Sequence, residues 1–171
     1  NPDDYIVERI ECPSHDNRMV PITIIRHKNT EINGSANLLL YGYGSYGNSI
    51  SPSFSSTRLS LINRNIIWVT AHVRGGMEKG MKWWKEGKLM NKKNTFEDYI
   101  AVAKYLINKN YTSEGKIIGM GGSAGGLLMG AVVNQVPKIF LGVIMAVPFV
   151  DSLTTNLDHS LPLTVGEFDE F

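Results

Sequence analysis

Gly121-Gly122-Ser123-Ala124-Gly125 is the segment of this chain best suited to chemistry. It has the form G-x-S-x-G, follows the apolar run Lys116–Met120, and precedes a helix-forming stretch. A serine in that context sits on a strained strand-to-helix turn, with glycines keeping neighbouring side chains clear of the bend. Its Oγ then stands above the sheet as a nucleophile. The N-terminus of the following helix favours negative charge, so the Ala124 N–H is a candidate oxyanion donor. Two blander readings compete. Gly119-Met120-Gly121-Gly122-Ser123-Ala124 also fits G-x-G-x-x-A, a dinucleotide fingerprint. That motif needs an acidic residue about 20 positions later, but position 144 is Ile and the next acid is Asp151. A plain glycine-rich turn remains the other alternative.

Positioning such a serine takes a sheet. Tyr5–Glu11 and Met19–Arg26 have strand-like density of β-branched and apolar residues, and His15-Asp16-Asn17 between them reads as a hairpin turn. Lys28–Asn37 is polar and reads as a loop. Leu38–Tyr41, Ile66–Ala71, Lys116–Met120 and Gly142–Val147 are short apolar runs, the pattern of strands buried on both faces of a parallel sheet. Helical spacing appears between them. Phe96, Ile100, Ala103 and Ile107 share one face, and Thr95 with Asp98 offers a variant capping box at its start. Leu127, Leu128 and Ala131 follow the glycine-rich turn, and Leu59, Leu61 and Ile62 mark a shorter helix. The alternation predicts an α/β fold: a mostly parallel sheet with an N-terminal β-hairpin and right-handed crossovers.

The 171 residues suffice for one domain, with 43% hydrophobic and 19% charged residues. A net charge of +1 gives no field that would steer the chain to nucleic acid or an anionic membrane. Lys79, Lys82, Trp83, Trp84, Lys85 and Lys88 form a basic, aromatic stretch, but Glu78 and Glu86 interrupt it, and no nucleic-acid partner is expected. No apolar run reaches the roughly 18 residues of a membrane span. Cys12 is the single cysteine, so no internal disulfide can form, which fits a reducing, cytoplasmic setting. The first residue is Asn, not Met, which suggests processing or a piece of something longer.

Longer segments carry a family resemblance. Tyr41-Gly42-Tyr43-Gly44-Ser45-Tyr46-Gly47, Arg74-Gly75-Gly76-Met77-Glu78-Lys79-Gly80, Lys93-Asn94-Thr95-Phe96-Glu97-Asp98, Gly121–Gly126 and Val147-Pro148-Phe149-Val150-Asp151 together resemble the prolyl oligopeptidase family of serine peptidases. Pro162-Leu163-Thr164 and Gly166-Glu167-Phe168 resemble its oligopeptidase B (protease II) branch. The resemblance implies a partial α/β-hydrolase fold with Ser123 as nucleophile and the Tyr43 hydroxyl as second oxyanion donor beside the Ala124 N–H. It implies that Tyr46 and Phe149 line the pocket for the residue before the scissile bond. Glu167 and Asp169 fall where the branch has two glutamates that receive Arg or Lys, and Asp169 is one methylene shorter. Leu161–Phe171 contains no Trp to stack on a substrate proline, and Ser51 and Ser53 stand where the branch often has two aspartates that favour a second basic residue. The implied substrates are short peptides containing Arg or Lys, and no metal or organic cofactor is expected.

Hydrolases of this fold order their triad as Ser, then Asp or Glu, then His. The family's acid and histidine are expected beyond Phe171, and its β-propeller before the hydrolase domain. The chain is thus expected to be the N-terminal two-thirds of one peptidase domain, with a complementary fragment of the same enzyme as a candidate partner. Asp151 and His159 stand in triad order but follow the nucleophile too closely to be favoured. His72 matches a histidine outside the triad, and His15 and His27 are expected at the surface. The rival readings are an inactive remnant, half of a split peptidase, and an acyl-ester hydrolase on the same fold.

Overall fold

The hairpin comes first in the computed structural model, which describes residues 1–51, 53–162 and 164–171. Strands β1 (Tyr5–Pro13) and β2 (Met19–His27) pair antiparallel from Tyr5↔His27 to Pro13↔Met19. The turn between them closes through Asn17 at φ 63°, a left-handed position that Asn tolerates. Four shorter strands follow: β3 (Leu38–Tyr41), β4 (Ile67–Ala71), β5 (Ile117–Gly122) and β6 (Phe140–Ala146). The sheet order is β1-β2-β4-β3-β5-β6, with β2–β4 antiparallel and the β4–β3, β3–β5 and β5–β6 pairs parallel. From β3 the chain steps to β4 on one side, then returns to β5 on the other. A crevice opens beyond the strand ends at such a switch point. Tyr41-Gly42-Tyr43 and Gly122-Ser123 leave those ends.

Helices cover both faces. Helix α1 (Ser56–Ile62), capped by the Ser55 hydroxyl, lies between β3 and β4 in sequence. Helices α2 (Met81–Lys85) and α3 (Lys93–Asn108) connect β4 to β5, and α4 (Ala124–Gln135) connects β5 to β6. Two short helices, α5 (Ser152–Leu157) and α6 (Thr164–Glu167), come last. The Pro162-Leu163-Thr164 segment includes Leu163, which lies outside the described residues. The core joins Ile22, Ile24, Leu38, Leu40, Val69 and Ile117 of the sheet to Tyr99, Val102 and Leu106 of α3 and Leu128, Met129 and Val132 of α4.

Two details of α3 differ from the sequence reading. Its buried stripe centres on Tyr99, Val102, Ala103 and Leu106, while Phe96 and Ile107 are partly buried. Counting apolar residues overlooks Tyr99, whose ring packs in the core while its hydroxyl donates to the Leu40 carbonyl at 2.6 Å. Thr95 and Asp98 form no capping box. The helix starts at Lys93, without a side-chain cap. The Thr95 hydroxyl donates to the carbonyls of Arg74 (2.8 Å) and Gly87 (3.2 Å). Asp98, fully buried, accepts from Arg74 Nη2 (2.6 Å), Nε (2.9 Å) and backbone N (2.9 Å) and from the Ser14 hydroxyl (2.6 Å). Both residues serve tertiary contacts that outweigh a local cap.

Strand β6 stands apart at its edge of the sheet. Leu141, Ile144 and Met145 are 59%, 45% and 41% exposed, although successive residues point to opposite faces. A strand apolar on both faces is built to be covered on both faces.

Candidate active site

Ser123 occupies the elbow in the predicted way. Its backbone is at φ 54°, ψ −119°, left-handed for a non-glycine residue, between the end of β5 and the start of α4. Hydrogen bonds clamp the bend on both sides: Ser123 N donates to Ala146 O (2.9 Å), and Ser123 O accepts from Gly126 N (2.8 Å) and Phe149 N (3.0 Å). A side chain at Gly121 would place its Cβ 2.2 Å from Gly125 O, so the bend needs glycine there. The Ser123 residue is exposed. Ala124 opens α4, and a first-turn amide has no intrahelical acceptor. Its N–H is therefore available to an anion at the elbow.

Tyr43 follows β3 across the crevice. Its ring is partly buried and packs against the elbow, lying 3.4 Å from where a Cβ on Gly125 would sit. Burial raises the phenol pKa, and Tyr41, Glu167 and Glu170 add to the rise, while Ser123 opposes it. The net direction keeps the hydroxyl protonated, as a donor. Tyr43 starts a row of aromatic rings: Tyr43–Tyr46 at 6.3 Å, Tyr46–Phe171 at 5.8 Å and Phe171–Phe149 at 5.3 Å between centroids. Tyr46 and Phe149 are thus joined through Phe171, a residue the sequence reading did not single out.

The acidic turn closes onto this row. Glu167 Oε2 accepts from the Tyr46 hydroxyl at 2.5 Å. Burial, then this hydrogen bond, pushes the Tyr46 phenol pKa upward. Asp169 is exposed and makes no hydrogen bond or ion pair among the described residues. Glu170 is the acid that turns inward, at 3% exposure. Its Oε1 accepts from Tyr46 N (2.7 Å) and its Oε2 from Trp84 Nε1 (3.0 Å). A signal for this was present in the spacing: positions i and i+3 of a helical turn share a face, whereas i and i+2 do not.

The histidines stand elsewhere. His72 is buried, with Nδ1 3.2 Å from Glu78 Oε1 and Nε2 2.9 Å from Thr23 Oγ1 and 2.7 Å from Arg9 Nη1. His15 is exposed and His27 half-buried beside Tyr5. Asp151 caps α5 by accepting from Thr154 N at 3.1 Å, and His159 is exposed in the turn after that helix. None of the four histidines hydrogen-bonds to Ser123 among the described residues. No group of three or more His, Cys, Asp or Glu among the described residues could hold a metal ion. No helix among them is long and apolar enough to cross a membrane.

A strand-to-helix elbow at Ser123 on a mostly parallel sheet is the arrangement of the α/β-hydrolase fold. The sequence profile of the prolyl oligopeptidase family matches residues 52–171, and the chain belongs to that family of serine peptidases. It is 53% identical over 152 residues to Protease 2 of Moraxella lacunata, covering 89% of this chain and 22% of that protein. It is 46% identical over 168 residues to dipeptidyl aminopeptidase BI of Pseudoxanthomonas mexicana, covering 98% of this chain and 23% of the relative. Oligopeptidase B from Trypanosoma brucei, solved with covalently bound antipain in a closed form, superposes with a TM-score of 0.97 at 41% identity, over all of this chain and 24% of that one. The chain therefore spans about a quarter of the length of these relatives.

Proposed function

We propose that this chain supplies the nucleophile, the oxyanion donors and the specificity pocket of a serine endopeptidase that cleaves short peptides after Arg or Lys. The observation that carries the reading is the Ser123 elbow, at φ 54°, with Tyr43 packed against it at Gly125, where an added Cβ would lie 3.4 Å from the Tyr43 ring. In this mechanism Ser123 Oγ attacks the scissile carbonyl while its proton passes to a histidine oriented by an acid, both contributed from outside these 171 residues. Ala124 N–H and Tyr43 O–H donate to the carbonyl oxygen as it becomes negative. Collapse breaks the C–N bond, the amine leaves with the histidine's proton, and an ester remains on Ser123. Water, deprotonated by the same histidine, then releases the acid and restores the serine. The covalent antipain complex of the T. brucei relative is consistent with a covalent intermediate.

The preference for Arg or Lys rests on Glu167. Its carboxylate accepts from the Tyr46 hydroxyl, and Tyr46 in turn packs on the Phe171 ring; a guanidinium or ammonium group entering there can be received by that carboxylate. Asp169, being exposed, is the weaker candidate in this reading. The test uses a chimaera in which these residues replace the aligned segment of Moraxella lacunata Protease 2. Losing one partner of a buried charge pair costs about 2–5 kcal/mol. Glu167→Gln should therefore lower kcat/KM for Arg substrates roughly 30- to several-thousand-fold, with little change for neutral ones. An Arg preference that survives Glu167→Gln intact removes the acidic turn from the specificity pocket. With Ser51 and Ser53 uncharged, a second basic residue upstream should add little.

One observation favours a second reading, half of a split peptidase. The edge strand β6 exposes Leu141, Ile144 and Met145, the surface a complementary fragment with a parallel strand would cover.

A further inference from the structure

The turn that follows Tyr43 is conformationally expensive. Gly44, Tyr46 and Gly47 have φ of 74°, 58° and 64°. Glycine adopts such angles freely, but a tyrosine there persists only where its surroundings hold it. Two buried charged side chains do so, from separate parts of the chain. Lys92, 9% exposed, donates to Gly44 O at 2.7 Å and Ser45 Oγ at 2.6 Å, with its Nζ 5.0 Å from the centre of the Phe171 ring. Glu170, 3% exposed, accepts from Tyr46 N at 2.7 Å and Trp84 Nε1 at 3.0 Å, and its backbone carbonyl accepts from Leu89 N at 2.9 Å.

Buried charges are costly unless their hydrogen bonds are satisfied. These two are not ion-paired with each other or with any other group among the described residues. Both instead hydrogen-bond the same short turn, Lys92 at Gly44 O and Ser45 Oγ and Glu170 at Tyr46 N, while the second carboxylate oxygen of Glu170 is held by Trp84. Burial draws the Lys92 pKa down to about 8, with Glu170 opposing the fall, so the cation is held at a cost. The turn they grip begins one residue after Tyr43, whose ring packs against Gly125 of the elbow. The acid that grips it lies three residues after Glu167.

We infer that Lys92 and Glu170 are positioning residues that fix the Gly44–Tyr46 turn from two sides, hold the Tyr43 phenol at Ser123, and latch the acidic turn bearing Glu167 to the oxyanion loop. The catalytic consequence rests on the peptidase reading; the clamp itself does not. Specificity pocket and oxyanion donor then behave as one mechanical unit. Loosening Glu170 disturbs both, whereas loosening Lys92 acts chiefly on the donor.

Two measurements test this. In the 171-residue chain, amide hydrogen exchange is compared at Tyr46 and at Leu40 in the central strand β3. Glu170→Ala should raise the Tyr46 rate relative to Leu40 by tenfold or more. Glu170→Gln, whose side-chain oxygen can still accept from Tyr46 N, should restore part of the protection. If the two rates rise in step, Glu170 only stabilises the domain and the clamp is refuted. In the chimaera, Glu170→Ala and Lys92→Met should lower kcat roughly 10- to 100-fold, bounded by the 100- to 1000-fold typical of a lost oxyanion donor. Glu170→Ala should also raise KM for Arg substrates, and Lys92→Met should not. An unchanged kcat in both variants, in a chimaera whose kcat does respond to Tyr43→Phe, contradicts the positioning role. If the chimaera with this chain's own sequence is inactive, the peptidase reading fails while the exchange experiment still judges the clamp.

Discussion

Asp98→Ala should be among the most damaging single changes in this chain. Asp98 is fully buried and accepts four hydrogen bonds, three from Arg74 and one from Ser14, at 2.6 to 2.9 Å. Arg74 is itself 1% exposed. Without Asp98, its remaining carboxylate is Asp16 (2.6 and 3.2 Å), whose side chain is 35% exposed. Breaking a buried pair by deleting one partner strands the other charge and costs about 3–5 kcal/mol. That is a large part of the roughly 5–15 kcal/mol of an ordinary domain. Damage should reach the site, because Gly75 packs under Gly44. A Cβ at Gly75 would lie 1.9 Å from Gly44 O, and Gly75 O accepts from Gly47 N at 2.9 Å. Urea unfolding followed by the fluorescence of Trp68, Trp83 and Trp84 measures the loss. The double change Arg74→Met/Asp98→Leu removes both charges and should recover much of it, since apolar replacements of a buried pair are often neutral. A loss below about 1 kcal/mol for Asp98→Ala would mean that water or another acid satisfies Arg74, and that the buried pair is not what holds this region together.

Three further outcomes are expected. Lys92 has a folded pKa of about 8 against an ordinary 10.5. Between these values the unfolded chain binds more protons than the folded one, so stability rises with pH, by roughly 3 kcal/mol in all. Cys12 and the tyrosines titrate in the same alkaline range, so the measured quantity is the stability difference between wild type and Lys92→Met; it should grow with pH from 8 upward, and a flat difference would contradict the assignment. Burial pushes the Cys12 thiol up to about 12, so its alkylation by iodoacetamide at pH 8 should be at least about 100-fold slower in the folded chain than in denaturant; equal rates would show that Cys12 is accessible. In the chimaera, Tyr43→Phe should lower kcat roughly 10- to 1000-fold with little change in KM, and an unchanged kcat would remove its hydroxyl from the reaction.

Much of the sheet was legible because each strand is a compact apolar run. Leu38–Tyr41 matches β3 in both bounds, and the other runs differ from theirs by one or two residues at an end. The elbow was legible because its chemistry is local: a serine, its flanking glycines, and the strand and helix beside them. Residues whose roles depend on distant partners were not. Thr95 and Asp98 look like a cap until Arg74 is brought to them. Lys92 reads as one lysine in a basic run, and its burial against Gly44 and Ser45 comes from tertiary packing. Glu170 was hidden beside Asp169, although its i,i+3 relation to Glu167 marked it as the acid sharing that face. Phe171 enters the aromatic row solely through the closure of the final turn onto Tyr46 and Phe149.

The most direct measurement is whether Ser123 is an activated nucleophile that takes up a covalent phosphonyl label. The chimaera with Moraxella lacunata Protease 2 is treated with a fluorophosphonate probe, digested and read by mass spectrometry, alongside the 171-residue chain alone and a Ser123→Ala chimaera. One labelled peptide, carrying the adduct on Ser123, is expected in the chimaera and none in Ser123→Ala. The chain alone should label far more slowly, since losing the histidine of a triad costs on the order of a million-fold in kcat. Label on another residue, or no label in a folded chimaera, would contradict the assignment of Ser123 as the nucleophile. Rapid labelling of the chain alone would contradict the need for a histidine from outside it.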